Sequence, residues 1–458
     1  MSRSGSGNQP PRVRHEPPSE RSRQLARRLT RVESRDVTYV GPDFPVFWEE
    51  ARGSNVWDVD GNRYVDLTAG FGVAAPGHRH PAVVEAIREQ ADRLTHGMGD
   101  VHPPAVKVDL LERLSDLSMT GDARVTLATS GAEAVEVAMK TARMHTGKPG
   151  VISFTGAYHG LTYGALALTD RDHFRGPFED QLNPHVHRVP YPHPFRPHVG
   201  LRDGQNLTEG VLDAIEATVS EAGREIGAVI VEPVQGRGGD VVPPRGFLAA
   251  LAAFCEQHGL LLIADEVYTG FGRTGRRFAC EHEGVIPDLM CVGKALSSCL
   301  PISACLGRRE IMEAWTPSEG EARHTSTFMG NPLACAAGLA SLGVIEEERL
   351  AENAKSEGIR WLRDLERLAE RHPAVGQARG RGLMLGLELV RPGDDGDGRE
   401  PAPELAGEVV REMLRRGWIV LAGGRTGNVL SLSPPLDISS ALLDRATAEL
   451  DRVLEKLE

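Results

Sequence analysis

Short runs of apolar residues alternate with longer stretches of helical periodicity through the middle of the chain. The apolar run RVTLATSG leads into AEAVEVAMKTARMH, where apolar positions recur every three to four residues. Further on, IGAVIVEPV precedes GFLAALAAFCEQHG, which in turn precedes LLLIADEV. Apolar runs separated by helices are typical of parallel strands that are buried on both faces of a sheet. The pattern therefore predicts an α/β domain built on a mainly parallel sheet.

The two ends of the chain show different patterns. NVWDVDGNRYVDL alternates apolar and polar residues around Asp60-Gly61, which predicts a β-hairpin, and HPAVVEAIREQADRL has the apolar spacing of a helix. From about Val344, charged helical stretches such as SEGIRWLRDLERLAERH are followed by the strand-like GLMLGLELV and NVLSLSPPL. We interpret residues 91–343 as a large domain and residues 344–458 as a smaller α+β domain, which the segment 37–90 joins.

Residues 1–36 are rich in Arg, Ser and Pro and lack the apolar core of a signal peptide. This composition predicts a disordered basic tail.

Composition excludes several classes of function. The chain has 458 residues and a formal net charge of -12, which argues against a nucleic-acid-binding protein. It contains no apolar run of membrane-spanning length. The six cysteines lie mostly in apolar surroundings without close CxxC pairs, so we expect reduced thiols, a cytoplasmic setting and no metal site.

Lys294 is the one charged residue after the aspartate in PDLMCVGKALSSCLPISAC. Lysine is almost never fully buried without a partner, and the most common explanation would be a side chain that extends to the surface. In a desolvated pocket, however, its neutral amine is favoured and can form an imine with an aldehyde. Such a lysine would be bonded to a cofactor aldehyde and, once displaced by a substrate amine, would move a proton at the carbon next to that amine.

Asp265 ends the apolar run LLLIAD and is followed by Glu266. The carboxyl ends of parallel strands face the ligand crevice in such sheets. A carboxylate there can hold the proton on a pyridine nitrogen, which turns the ring into an electron sink. One acid alone would be better explained as the cap of the next helix.

Three further motifs provide candidates for cofactor binding. In TSGAEA, Ser130 precedes a helix start at which the N–H groups of Gly131 and Ala132 can hold a phosphate. In GAYHG, Tyr158 can stack on an aromatic ring, and His159 is kept as a pocket residue only. HTSTFMGNP places a hydroxyl at Thr327 that can donate to a phosphate, although a Ser/Thr turn would have the same sequence.

GFGRTG, residues 270–275, matches the dinucleotide-binding pattern G-x-G-x-x-G letter for letter. That pattern must leave a strand directly and open a helix, whereas here DEVYT intervenes and no convincing helix follows. We expect these glycines to shape a loop at the cofactor site.

In this order, the motifs resemble those of the class III aminotransferases, the pyridoxal-phosphate enzymes that include ornithine, acetylornithine and 4-aminobutyrate aminotransferases. The resemblance runs from about Val37 to the C-terminus and also includes GHRHP, EPVQG, STFMGNPLACAA, RGRGLMLGLEL and SPPL. It implies fold type I, with a large seven-stranded type of sheet and a smaller α+β domain. It also implies a homodimer.

The resemblance implies a role for each matching residue. Lys294 would carry the Schiff base to pyridoxal 5'-phosphate, and Asp265 would pair with the ring nitrogen. Tyr158 and Val267 would pack on opposite faces of the ring, and Thr327 would reach the phosphate in the neighbouring subunit. Glu232, in EPV, would lie in the pocket near the cofactor.

Three positions depart from the family pattern. Tyr268 stands where many relatives have Gln, and its hydroxyl could replace the amide in a contact to the cofactor's phenolic oxygen. Arg237 stands where relatives often have Glu, so a more positive entrance is expected. Ser431 replaces the Arg of R-x-x-P-P-L, which clamps a substrate carboxylate in relatives. Either another arginine does this, or one substrate lacks a carboxylate there.

The expected activity is amino transfer from an amino acid or ω-amine to a keto acid or aldehyde, by a ping-pong mechanism. A racemase, epimerase or decarboxylase on the same cofactor is the alternative, and a binding protein without turnover is the least favoured. Phe71, Tyr163, Glu232, Arg237 and the C-terminal segment are expected to line the pocket, but they do not identify the substrate.

Overall fold

The computed structural model describes residues 7–197, 200, 205–391 and 400–457. The first elements in chain order are α1 (Glu20–Val32), β1 (Trp48–Arg52), β2 (Asn55–Asp58), β3 (Arg63–Asp66), α2 (Ala69–Gly72), α3 (Pro81–Ala91) and α4 (Ala105–Leu117). Strands β2 and β3 are antiparallel and form the predicted hairpin, in which Gly61 adopts the positive φ of 84° that its turn requires. Helix α3 is the helix predicted from HPAVVEAIREQADRL.

The sequence predicts that residues 1–36 are a disordered tail. This prediction is wrong for much of the segment 7–36, which is the part that the structure describes. Residues 20–32 form α1, and the preceding segment is held by side chains of the hairpin. Asn55 Oδ1 accepts a hydrogen bond from the N–H of Gln9 at 2.8 Å, and Asn62 Oδ1 accepts one from the N–H of Arg14 at 2.8 Å. Polar anchoring of the backbone therefore replaces the apolar core that this segment lacks. Residues 1–6 lie outside the described residues.

The large sheet forms from the middle of the chain. Its elements are β4 (Arg124–Ala128), α5 (Gly131–Thr146), β5 (Gly150–Phe154), α6 (Tyr163–Leu168), α7 (Asp172–Arg175), β6 (Val186–Val189), α8 (Leu207–Ala222), β7 (Ile226–Val231), α9 (Phe247–His258), β8 (Leu261–Asp265), β9 (Leu289–Val292), β10 (Ser303–Gly307) and α10 (Arg309–Met312). The sheet has seven strands in the order β4-β10-β9-β8-β7-β5-β6. Strand β10 is antiparallel to both of its neighbours, and the other pairs are parallel, which confirms the predicted mainly parallel sheet.

The central strands of this sheet are buried along their whole length. Every residue of β7, β8 and β9 is buried, because helices cover both faces of the sheet. The carboxyl ends of β4, β5, β7, β8 and β9 lie at one edge, since these strands run in the same direction. The segments that carry the predicted site residues therefore leave the sheet at this edge.

The last part of the chain adds a second antiparallel sheet and several long helices. Its elements are α11 (Pro332–Glu347), α12 (Leu350–Arg371), β11 (Val375–Arg381), β12 (Met384–Arg391), β13 (Glu400–Pro401), α13 (Pro403–Arg415), β14 (Trp418–Ile419), β15 (Leu421–Gly423), β16 (Val429–Leu432) and α14 (Ser440–Leu457). Strands β11, β12, β16 and β15 form one sheet, and β14 pairs with β3 in the N-terminal sheet. The N-terminal hairpin is thus joined to the C-terminal part of the chain. The domain boundaries at residues 90 and 343 remain predictions.

The GFGRTG segment connects the large domain to the C-terminal sheet. It forms consecutive turns rather than a strand-to-helix transition, as predicted for a loop. Arg273 within it is buried and donates to the carbonyl oxygens of Leu383, at 2.9 Å, and Pro434, at 2.6 Å. The described helices include none that is both long and apolar enough to cross a bilayer.

Candidate active site at the carboxyl edge of the large sheet

A cavity of about 330 Å³ opens at the carboxyl edge of the large sheet. Its walls come from the segments that follow β4, β5, β7, β8 and β9. They are formed by Gly131, Ala132, Tyr158, His159, Gly160, Leu161, Glu232, Arg237, Asp265, Val267, Tyr268 and Lys294. Every residue predicted for the cofactor site lines this cavity except Ser130 and Thr327.

Lys294 follows β9 in a backbone conformation that non-glycine residues rarely adopt. Its φ is 43°, and strain of this kind is concentrated at functional sites. Burial of the amine lowers the pKa of Lys294, although the carboxylates of Asp265 and Glu232 act in the opposite direction. The amine lies 4.4 Å from the centre of the Tyr268 ring. The environment thus favours the neutral, nucleophilic form of this lysine.

Asp265 ends β8, and His159 holds its carboxylate in place. Oδ2 lies 2.7 Å from Nδ1 of His159, and Oδ1 accepts a hydrogen bond from the N–H of Val267 at 3.1 Å. The imidazole is fully enclosed, and its Nε2 has no hydrogen-bond partner among the described residues. His159 therefore lines the pocket, as predicted, and also orients the acid.

The start of α5 offers unpaired backbone donors to the cavity. The hydroxyl of Ser130 caps the helix by accepting from the N–H of Glu133 at 3.2 Å, so the side chain is occupied within the helix and does not line the cavity. The N–H groups of Gly131 and Ala132 belong to the first turn, where a helix provides no acceptor and the dipole is positive. A Cβ on Gly131 would lie 3.0 Å from Cγ1 of Val267, so only glycine fits here without displacing that wall.

Glu232 joins two loops that form the cavity wall. Its Oε1 accepts from the N–H of Tyr158 at 2.9 Å, and its Oε2 accepts from the N–H of Gly236 at 3.0 Å. Burial raises the pKa of Glu232 to about 7, with Asp265 acting in the same direction and His159 against it. A carboxyl group that titrates near neutral pH thus lies in the same cavity as Lys294.

A second cavity of about 300 Å³ adjoins the first. It is lined by Thr68, Phe71, Tyr158, Gly236, Arg237, Tyr268, Lys294, Leu421, Ala422, Gly423, Ser431 and Ser433. Four residues, Tyr158, Arg237, Tyr268 and Lys294, belong to both cavities. The amine of Lys294 is therefore accessible to two adjoining compartments of different composition.

Tyr268 contributes to the wall of both compartments, and its ring is tightly held. A Cβ on Gly72 would lie 2.2 Å from this ring, and one on Gly236 would lie 2.4 Å from it. The hydroxyl lies 2.6 Å from Oγ of Ser433 on the segment after β16. The phenol thus bonds to the C-terminal part of the chain, and the contact of its hydroxyl with the cofactor remains a prediction.

Most of the residues predicted for the substrate pocket are found there. Phe71, Arg237 and Ser431 line the second cavity, and Glu232 lines the first. The prediction for Tyr163 is wrong. This residue begins α6 on the outside of the molecule, is 51% exposed, and donates to Oε1 of Gln181 at 3.1 Å.

Thr327 lies in an exposed turn before α11 and lines neither cavity. The neighbouring Thr325 donates to Oδ2 of Asp100 at 2.9 Å. A role for Thr327 in this subunit's own site has no support in the geometry, and its predicted role in a neighbouring subunit remains a prediction.

Asp240 is a buried acid that the sequence did not indicate, although it directly follows the glycines of EPVQGRGG. It is fully buried, and neither carboxylate oxygen has a well-aligned hydrogen-bond partner in the described part of the chain, although the Ser431 hydroxyl lies close by. Burial raises the pKa of Asp240 to about 7, against the smaller lowering effects of Ser431 and Arg379. Its ionised form is therefore disfavoured in the folded protein.

We expect Asp240→Asn to stabilise the protein more at pH 8 than at pH 5. Because the folded pKa is raised, the destabilisation from Asp240 is absent below its ordinary pKa, grows as pH rises and is complete above about 7. Removing the charge should raise the free energy of unfolding at pH 8 by about 1–3 kcal/mol. Asn also tolerates the φ of 52° at this position.

Urea unfolding at the two pH values measures this difference. Asp116→Asn, an exposed carboxylate on α4, is the control for a change of one charge and should have little effect at either pH. Equal stabilisation by Asp240→Asn at both pH values would contradict the explanation.

Comparison with known proteins agrees with this arrangement. A model of the family "Aminotransferase class-III" matches residues 38–454. A 4-aminobutyrate aminotransferase of Mycobacterium leprae is 40% identical over 94% of this chain and 95% of its own length. An acetylornithine aminotransferase of Methanopyrus kandleri is 42% identical, with 89% of this chain and 94% of that protein covered. The solved structure of a PLP-bound amine transaminase from an uncultivated Pseudomonas species has a TM-score of 0.86 at 32% identity, covering 93% of this chain and 98% of that one.

An alanine/serine racemase of Pyrococcus horikoshii is also similar, at 35% identity over 97% of this chain and 93% of that protein. Racemisation, the alternative activity considered above, therefore occurs in a similar protein. The other relatives and the solved structure named here are aminotransferases. The chain belongs to the class III aminotransferases, fold-type I enzymes that depend on pyridoxal phosphate and move an amino group from a donor to an oxo acceptor.

Proposed function

We propose that Lys294 is the residue that bonds the cofactor aldehyde and later moves the substrate proton, with Asp265 as the partner of the cofactor's ring nitrogen. The observation that carries this proposal is the position of the Lys294 amine where the two cavities meet. One cavity provides donors and an acid suited to a phosphorylated pyridine, and the other leads to the C-terminal strands. A single amine can therefore serve both the cofactor and the substrate.

The residues of the first cavity fit pyridoxal phosphate. The free N–H groups of Gly131 and Ala132 suit a phosphate, and the buried carboxylate of Asp265 suits a protonated ring nitrogen. Tyr158 and Val267 provide surfaces for the faces of a ring. When bound, pyridoxal phosphate supplies an electron sink that makes the carbon next to the donor amine acidic.

The chain's own groups then control the movement of protons. Lys294, whose pKa is lowered by burial, would accept a proton from the carbon next to the donor amine and return it at a neighbouring position. His159 keeps the Asp265 carboxylate oriented, so its negative charge stays in place during the transfer. Tyr268 and Tyr158 restrict the space around the amine and limit the access of water.

We propose a homodimer in which Thr327 donates to the cofactor phosphate bound by the neighbouring subunit. Large apolar side chains are exposed in the region of Thr327. Met98 is 52% exposed, Val101 is 64% exposed and Phe328 is 62% exposed. The His96 ring contacts Phe328 at 5.6 Å between ring centres, so these two segments lie together. An exposed apolar surface of this kind indicates a protein interface.

Thr327→Ala should weaken cofactor binding by roughly 10-fold, the lower range for one hydrogen bond to a charged group. A heterodimer of one Thr327→Ala subunit and one Lys294→Ala subunit tests the arrangement across subunits. One of its two sites would combine an intact Lys294 with Thr327 from the other chain, and would bind the cofactor with wild-type affinity. Titration of the purified heterodimer with cofactor measures this.

Thr325→Ala is the matched control, since that hydroxyl bonds to Asp100 within its own chain, and cofactor affinity should not change. Weak binding at both sites of the heterodimer would contradict a contribution from the neighbouring subunit.

We also place the protein in the cytoplasm. All six cysteines are free thiols in the described part of the chain, and five of them are buried. Reduced cysteines are typical of proteins that remain in the cytosol.

A panel of donors and acceptors tests the proposed function. The cofactor-loaded protein would be incubated with amino acids, ω-amino acids and simple amines, each with 2-oxoglutarate or pyruvate. We expect equal amounts of oxo product and newly aminated acceptor. Inversion of an amino acid without any oxo product would instead favour the racemase outcome, and no amino transfer with any pair would refute the proposal.

A further inference from the structure

The second cavity, which we take to hold the substrate, contains one cationic side chain besides Lys294, and that side chain is Arg237. The other residues that line it are apolar, aromatic, hydroxylic or glycine, and no Asp or Glu is present in this lining. Ser431, at the position where the resemblance to the family leads us to expect an arginine, also lines it. Among the described residues, the guanidinium in the lining of this cavity is therefore supplied by the loop after β7 rather than by β16.

The guanidinium of Arg237 lies against aromatic rings, and the described residues form no ion pair with it. It lies 5.1 Å from the centre of the Tyr158 ring and 5.8 Å from that of Phe174. Its Nε is buried without a hydrogen-bond partner, and no described carboxylate forms an ion pair with it. Stacking on aromatic rings restricts the plane of a guanidinium and leaves the donors at its edge available.

A second arginine adds positive charge at the same place. Arg171 lies 5.4 Å from the centre of the Phe174 ring, and no ion pair joins it to a described carboxylate. Burial lowers the pKa of Arg171, and the nearby charge of Arg237 lowers it further. Two neighbouring cations without a counter-ion favour the binding of an anion between or beside them.

Two other arginines in this region, Arg425 and Arg188, lie close to a carboxylate, unlike Arg237. Arg425 Nε lies 3.2 Å from Oδ2 of Asp170, and Arg188 Nε lies 3.9 Å from Oδ1 of the same residue. Asp170 is thus a carboxylate partner for both of these arginines. Arg237 is the cation that faces the substrate compartment with its donors unused.

We propose that Arg237 binds the carboxylate of an acidic substrate at the end remote from the reacting amine or oxo carbon. It would take over the task that Ser431 cannot perform, because a hydroxyl cannot form the two parallel hydrogen bonds of a guanidinium. The substrates recognised in this way are ω-amino acids and oxo acids with a distal carboxylate. This inference rests on the proposed aminotransferase function and assigns the substrate class of the same site.

A matched pair of acceptors tests this assignment. The aldehyde 4-oxobutanoate carries a distal carboxylate, and butanal has the same chain length without it. We expect the wild type to prefer 4-oxobutanoate in kcat/KM. Arg237→Gln should lower kcat/KM for 4-oxobutanoate by roughly 10- to 100-fold, the range for a hydrogen bond between charged groups, and change that for butanal by less than about 3-fold.

Arg425→Gln is the control for a general loss of positive charge near the site. Because Arg425 is already paired with Asp170, this variant should change the preference by less than about 3-fold. An equal loss for both aldehydes in Arg237→Gln, or an unchanged preference, would overturn the assignment.

Binding of glutarate, which cannot react, separates this inference from the proposed function. Calorimetry on the cofactor-loaded protein should show glutarate binding to the wild type that Arg237→Gln weakens by about the same factor as above. If glutarate binds in this way but the protein transfers no amino group, the proposed aminotransferase function is refuted and the carboxylate site at Arg237 is supported. Amino transfer with neutral amines, without glutarate binding, would refute the site and leave the function standing.

Discussion

Replacing Lys294 with alanine will lower the rate of amino transfer by roughly 10³-fold or more, because both the nucleophile and the proton-transfer group are lost. The fold should survive, since the side chain lines a cavity rather than filling the core. Circular dichroism and thermal unfolding check the fold, and single-turnover kinetics measure the rate. Borohydride reduction should attach the cofactor covalently to the wild type and not to the variant.

Lys355→Ala is the control for the loss of a lysine. Lys355 is exposed on α12 and lines neither of the two cavities at Lys294, so activity and covalent labelling should be unchanged. Covalent labelling of Lys294→Ala at another lysine, with activity retained, would show that the assignment is mistaken.

Replacing Asp265 with asparagine will lower kcat by roughly 10²- to 10³-fold, the range seen when one electrostatic contact to a reacting group is removed. The amide keeps the size of the carboxylate and can still bond to His159, but it removes the negative charge that stabilises a protonated ring nitrogen. Nitrogen NMR of labelled cofactor should show a protonated ring in the wild type and a neutral ring in the variant. Cofactor affinity should fall much less than kcat.

Glu266→Gln provides a matched control one residue away. Glu266 is also buried, but it accepts hydrogen bonds from the N–H groups of Ala279 and Cys280 and so holds the loop after β8. We expect this variant to lower the melting temperature while kcat stays within about 3-fold. A larger loss of kcat in Glu266→Gln than in Asp265→Asn would contradict the roles given to the two acids.

The motifs of the catalytic centre could be predicted because each combines a strand end with a particular residue type. Asp265 and Lys294 end or follow buried apolar runs, and parallel strands bring such positions to one edge of the sheet. Gly131 and Ala132 follow the same rule at the start of α5. The resemblance to class III aminotransferases then supplied the cofactor, which composition and periodicity alone could not identify.

Other features depended on contacts between distant parts of the chain. Tyr163 lies close in sequence to Tyr158 and His159, but α6 turns it to the outside. Tyr268 bonds to Ser433, a partner 165 residues away. The N-terminal segment has no apolar core of its own, and Asn55, Asp60 and Asn62 of the hairpin fix its position.

The sequence by itself therefore indicated the alternation of strands and helices in the large domain, the family, and the placement of Lys294 and Asp265 at one edge of the sheet, because these depend on local periodicity and on residue types at strand ends. Only the tertiary structure decided that Asp240 is fully buried, that Ser130 is occupied as a cap and that Arg237 faces the second cavity without an ion-pair partner among the described residues. The charge and hydrogen bonding of such groups depend on neighbours that are remote in the chain, and the pattern of residues around each position does not contain that information.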